Sequence, residues 1–182
     1  MAVATWVGGD GTGSEQTDYG RAANWSGSVV PDADDHVIVA NTGHNCKLDA
    51  NRDAASLTVN SGATIDGSGA KLSIKSEGDS SEGTNGFAVD IDGIIAGNLD
   101  LEINTPAATT LDLYAQGGGK PRNVTINHAS CVATLGALLD ITGNLTITAG
   151  ELNTNSGSNY AVTVAGDCIV DGTLTGNASA IS

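Results

Sequence analysis

Apolar and polar residues alternate in short runs along most of the chain: Leu57-Thr58-Val59, Leu72-Ser73-Ile74, Leu99-Asp100-Leu101-Glu102-Ile103, Val124-Thr125-Ile126, Leu145-Thr146-Ile147 and Val162-Thr163-Val164. A period of two puts successive side chains on opposite faces of an extended strand. No run keeps apolar residues at helical spacing for long. The runs are rich in Val, Ile and Thr and are divided by Gly, Asn and Asp, which supply turns. The pattern predicts an all-β chain of many short strands.

The strands also repeat. Gly97-Asn98-Leu99 recurs as Gly143-Asn144-Leu145, 46 positions on, and Gly166-Asp167-Cys168 follows after a further 23. At the 23-residue spacing one column reads Leu101, Val124, Ile147, Val170. A second reads Leu99, Arg122, Leu145, Cys168, and a third begins Ile103, Ile126 before shrinking to Ala149 and Gly172. The positions between them are Asp100, Asn123, Thr146, Ile169 and Glu102, Thr125, Thr148, Asp171, all polar except Ile169. Columns of one type at a fixed period mean that equivalent residues stack on each other. A parallel β-solenoid stacks them with rungs about 4.8 Å apart. The expectation is a right-handed parallel β-solenoid, with roughly five coils of about 23 residues over 51–182. Its hand follows the general bias of parallel crossovers. Two protrusions are expected, a polar insertion at 76–85 and a Gly-rich excursion within 104–120. Arg122 interrupts an apolar column. Either the register slips near Pro121, or Arg122 caps a corner with its head in water.

Residues 1–50 differ. They hold Trp6, Trp25 and Tyr19, and a turn at 31–35 ahead of His36-Val37-Ile38-Val39. A solenoid end exposes unpaired strand groups and an open core. This module either caps that end or anchors the chain to a larger body, and one segment can do both. Three of its pieces carry a resemblance: Thr5-Trp6-Val7-Gly8-Gly9, Ala23-Asn24-Trp25-Ser26, and Val30-Pro31-Asp32-Ala33-Asp34-Asp35-His36-Val37-Ile38-Val39. Together they resemble the segment that opens many bacterial and phage β-solenoid proteins. That family contains virion structural proteins of tailed phages, secreted adhesins and some polysaccharide-active enzymes. The resemblance implies fold more firmly than function. It makes Trp6, Trp25, Val30 and Pro31 the candidate anchor or interface residues. It also implies partners among other virion proteins or further copies of this chain, with a trimer as the expected state.

Composition narrows the function classes. The chain of 182 residues has 21 acidic against 7 basic side chains, a net charge of −14. Such a surface does not suit nucleic acid or an anionic membrane, both of which recruit cations. No basic stretch followed by an apolar block opens the chain. Synthesis without export is therefore expected, which fits a virion protein assembled inside its host. Three widely spaced cysteines, Cys46, Cys131 and Cys168, make neither a disulfide framework nor a metal cluster.

Candidate chemistry is sparse. Asp32, Asp34 and Asp35 read as a turn with solvated acids, and more weakly as a cation site. Gly8-Gly9-Asp10-Gly11 reads as a plain glycine turn. Gly117-Gly118-Gly119-Lys120 lacks the ending of a phosphate loop. His128 and Cys131 have no distinctive flank for nucleophilic catalysis. Glu102 and Asp171, placed three coils apart, are too distant for glycoside hydrolysis. No catalytic residue, metal or cofactor is expected. The reading is a non-enzymatic structural component of a phage virion, an external capsid decoration or fibre-like protein. The alternatives are an adhesin whose loops 76–85 and 104–120 touch a host glycan, and a polysaccharide-degrading enzyme.

Overall fold

The computed structural model describes residues 2–8, 17–76 and 86–182. Gly9 to Gly11 and most of the 76–85 insertion lie outside the described residues. The chain is a parallel β-solenoid of about six turns with coils of about 23 residues.

Three faces run along it. The first stacks Val3–Thr5, His36–Val39, Ser56–Val59, Val89–Ile91, Ala108–Asp112, the second halves of Asn123–Leu135 and Leu145–Asn153, and Thr173–Thr175. The second stacks Arg52–Ala54, Lys71–Ile74, Asp100–Ile103, the first halves of the same two long strands, and Cys168–Val170. The third carries Cys46–Lys47, Thr64–Asp66 and Ile94–Ala96, then Leu139–Ile141 and Val162–Val164. Every strand pairing is parallel, so each rung's backbone groups bond to the rungs above and below.

The turn count exceeds five because the first fifty residues join the stack. Val3–Thr5 pairs with His36–Val39, which pairs in turn with Ser56–Val59. Asp18 bridges to Lys47 on the third face. Residues 22–28 then fold over the end in two short 3-10 turns.

The register differs from the sequence expectation at one step. Leu101 lies beside Val124, 23 positions on, as expected. Val124, however, pairs with Leu145, 21 positions on, and not with Ile147. The inward columns are therefore Leu72, Leu101, Val124, Leu145, Cys168 and Ile74, Ile103, Ile126, Ile147, Val170. Leu99 precedes its strand and is buried at the corner. The cause sits at Arg122, whose N–H donates to the Leu99 carbonyl and whose own carbonyl accepts from Gly143. Gly97-Asn98-Leu99 and Gly143-Asn144-Leu145 are thus out of register by two residues. Two is the strand period, so the slip leaves the residues of these two columns pointing inward.

Leu99, Leu101, Ile103, Val124, Ile126, Leu145 and Ile147 are all buried in the aliphatic core. Cys168 and Val170 occupy inward positions on the last rung of their face but are exposed, Val170 at 42%. Among the described residues, their strand pairs on one side only, with Leu145–Asn153.

Candidate functional site

Organised side chains gather at the N-terminal end, along the second face and on the outside of the first. At the N-terminal end, Trp6, Tyr19 and Trp25 are fully or almost fully buried. The Trp25 ring meets Trp6 edge-on at 5.1 Å and Tyr19 at 4.8 Å between centroids. Trp25 Nε1 donates to the Tyr19 carbonyl at 2.6 Å, and Trp6 Nε1 donates to the His44 carbonyl at 3.1 Å. Large rings with one polar edge suit this position, because each apolar body fills the core mouth while its N–H is satisfied. Burial pushes the Tyr19 hydroxyl well above its ordinary range. Val30 packs against the hydrophobic core and Pro31 is buried, while Val7 and Val29 are exposed. The two tryptophans thus face the chain's own core.

The Asp32 to Asp35 turn is closed by its own acids. Asp32 Oδ1 accepts from the Asp34 amide at 3.0 Å, and Asp35 Oδ2 accepts from the Asp32 amide at 3.2 Å. Asp35 Oδ1 also accepts from Ala2 N at 3.3 Å, tying the turn to the first strand.

A charged ladder runs up the second face. Arg122 reaches back one rung and grips Asp100 with Nε at 2.7 Å and Nη2 at 2.5 Å. Asn123 Nδ2 also donates to Asp100, at 2.9 Å. Asn123 Oδ1 then accepts from Asn144 N at 2.8 Å, and Asn144 Oδ1 accepts from Asp167 N at 2.9 Å. The column beside it is Ser73, Glu102, Thr125, Thr146, Ile169, so Asp171 does not share it with Glu102. Glu102 pairs with Lys71 and accepts from Asn127 Nδ2 at 3.0 Å. Burial raises its carboxyl, but the hydrogen bonds from Lys71 and Asn127 and the lysine charge outweigh this and hold it below the ordinary glutamate range. These acids are engaged in holding rungs together.

The third part lies on the outside of the first face and was not singled out in the sequence. Thr58, Asp90 and Asp112 are register neighbours on three successive rungs. Thr58 and Asp90 are buried, at 4% and 7% exposure, and Thr58 Oγ1 has no hydrogen-bond partner. Asp112 Oδ1 accepts from Tyr114 N at 3.1 Å. Burial raises its carboxyl, and the negative charges of Asp90 and Asp92 raise it further. Asp92 accepts from Gln116 Nε2 at 2.6 Å, and Tyr114 stands 49% exposed beside them. The only sequence signal was the 22-residue step from Asp90 to Asp112, close to the repeat period. The insertion before Asp90 shifts Thr58 out of step, which conceals the column.

Elsewhere, His128 Nδ1 accepts from Ser130 N at 3.1 Å, and Cys131 is buried in the core, its thiol pushed up to about 11 by burial. A neutral thiol is a poor nucleophile. Among the described residues, no group of three or more His, Cys, Asp or Glu side chains converges to hold a metal ion. No described helix is long and apolar enough to cross a membrane.

Comparison with known proteins finds no matching family, no similar curated protein and no similar solved structure. The fold is a β-solenoid, which is compatible with structural and with adhesive roles.

Proposed function

We propose that this chain is a non-enzymatic structural component of a phage virion, an external capsid decoration or fibre-like element. The observation that carries the reading is the unbroken stack of parallel rungs, closed at its N-terminal end by Trp6, Tyr19 and Trp25. A rod built this way resists local opening, because each inner rung is bonded to the rungs on both sides of it. The acidic exterior keeps neighbouring copies soluble at high local concentration. The virion assignment adds the resemblance of the first forty or so residues to the opening segment of phage solenoid proteins. Partners are then other virion proteins or copies of the same chain, and the expected assembly is a trimer.

The test is location. Purified particles of the phage that encodes this chain should contain it at a fixed copy number, measured by quantitative mass spectrometry. Antibody-conjugated gold should decorate the particle exterior. Recovery only in the soluble fraction of the lysate would overturn the proposal.

A second reading is favoured by Tyr114. Tyr114 is an exposed aromatic residue whose amide is bound by Asp112 and which lies two positions from Gln116, the partner of Asp92; a flat apolar platform with planar polar groups near it is the chemistry that holds a sugar ring. In that reading the loop following Ala108–Asp112 touches a host glycan. Binding on a glycan array that Tyr114→Ala abolishes would establish it.

A further inference from the structure

We infer that the last described rung of the second face, Cys168–Val170, is a docking edge for an extended strand of a partner protein, a short apolar run flanked by basic residues. Among the described residues this strand pairs only with Leu145–Asn153. The Asp167 carbonyl accepts from Leu145 N, and the Asp171 N–H donates to the Ile147 carbonyl. Alternate residues of a strand bond to the same side, so Cys168 and Val170 turn their own N–H and C=O groups to the open side. A strand added there continues the ladder that holds the whole stack.

The side chains ask for the same cover. Cys168 and Val170 hold inward positions, yet both are exposed. Ile169 points outward in a column that carries Glu102, Thr125 and Thr146 on the earlier rungs, and it is 45% exposed. One edge strand thus shows apolar side chains on both of its faces, the pattern of a strand with neighbours on every side.

Charge selects the occupant. Asp167 and Asp171 bracket the strand, both are exposed, and neither has an ion-pair partner among the described residues. A second copy turned end to end would set its own Asp167 and Asp171 against this pair, and each chain carries a net −14. A second copy stacked head to tail would present an end closed by Trp6, Trp25 and the turns over residues 22–28. A strand with Lys or Arg on either side of a short apolar run satisfies both the ladder and the acids. Such an edge would serve a virion protein and an adhesin alike.

The probe is the peptide Lys-Thr-Lys-Val-Ile-Val-Lys-Thr-Lys, added to the full chain, with a second peptide carrying Glu at every Lys position. At saturation the Lys peptide should slow hydrogen exchange about tenfold or more at the Cys168 and Val170 amides, and less at Ile169. The Glu peptide should bind about tenfold more weakly at low ionic strength. Asp167→Lys combined with Asp171→Lys changes two exposed side chains and should reverse that preference. Val170→Lys should stay folded, since its site is already 42% exposed, and should lose the protection. Unchanged exchange at Cys168 and Val170 would overturn the docking edge, and equal binding of the two peptides would overturn the basic partner. A doubled mass in light scattering, with the same two amides protected in the chain alone, would overturn it in favour of a second copy.

Discussion

Gly119 shows how closely the backbone of this coil approaches its neighbour. Its φ is +85°, and a Cβ there would lie 1.8 Å from the Ile95 carbonyl oxygen. Glycine alone accepts both conditions. Gly119→Ala should therefore lower stability by more than the ~1 kcal/mol of an ordinary strained turn, read as a drop in the urea midpoint. Glu102 makes a different single-residue case. Its folded carboxyl is held below the ordinary range, so its contribution is complete above the unfolded value near ~4.3 and is lost as pH falls through the folded value. Asp112 has the opposite sign, since its raised carboxyl makes the ionised form a liability at neutral pH. Denaturant titrations should find that Glu102→Gln lowers stability at pH 7 and flattens the acid limb below pH ~4. An acid limb unchanged in that variant would remove the ion pair with Lys71 as its source.

At the level of strands, what decides a core residue's worth is how many rungs bury it. Ile147 lies between Ile126 and Val170 in its column and is fully buried. Ile147→Ala should cost about 2–5 kcal/mol. Val170 has the same inward orientation but 42% exposure, and Val170→Ala should cost well under half as much. Equal losses in chemical denaturation would mean that the last rung is covered in solution. The strands and their alternation were readable because period two survives any loop length, as Leu145-Thr146-Ile147 and Val162-Thr163-Val164 show. The register was readable only in part. The recurrence of Gly-Asn-Leu suggested equivalence, yet Leu99 is matched by Arg122 and then by Gly143 across the rungs. Corner residues repeat for conformational reasons without sharing a height. The acid column escaped for a related reason: 32 positions separate Leu57 from Val89, although they are neighbours.

Over the whole molecule, protection should be graded. The described core runs from Ala4 to Val162, while most positions from 165 to 182 are exposed or half-exposed. Hydrogen exchange at residue resolution should find the slowest amides in Asp100–Ile103 and in both long strands, and the fastest in Cys168–Val170 and Thr173–Thr175. Uniform exchange along the axis would show that the rungs open together and not from one side.

The constant rise between rungs has one more consequence. Because hydrogen-bonded strands cannot change their spacing, any group on the outer face sits at a height quantised in steps of about 4.8 Å. Corner lengths vary freely, as the 21-residue and 32-residue steps show, without disturbing that scale. The molecule thus behaves as a graduated ruler, on which loops can be lengthened, exchanged or decorated while the distances between their roots stay fixed.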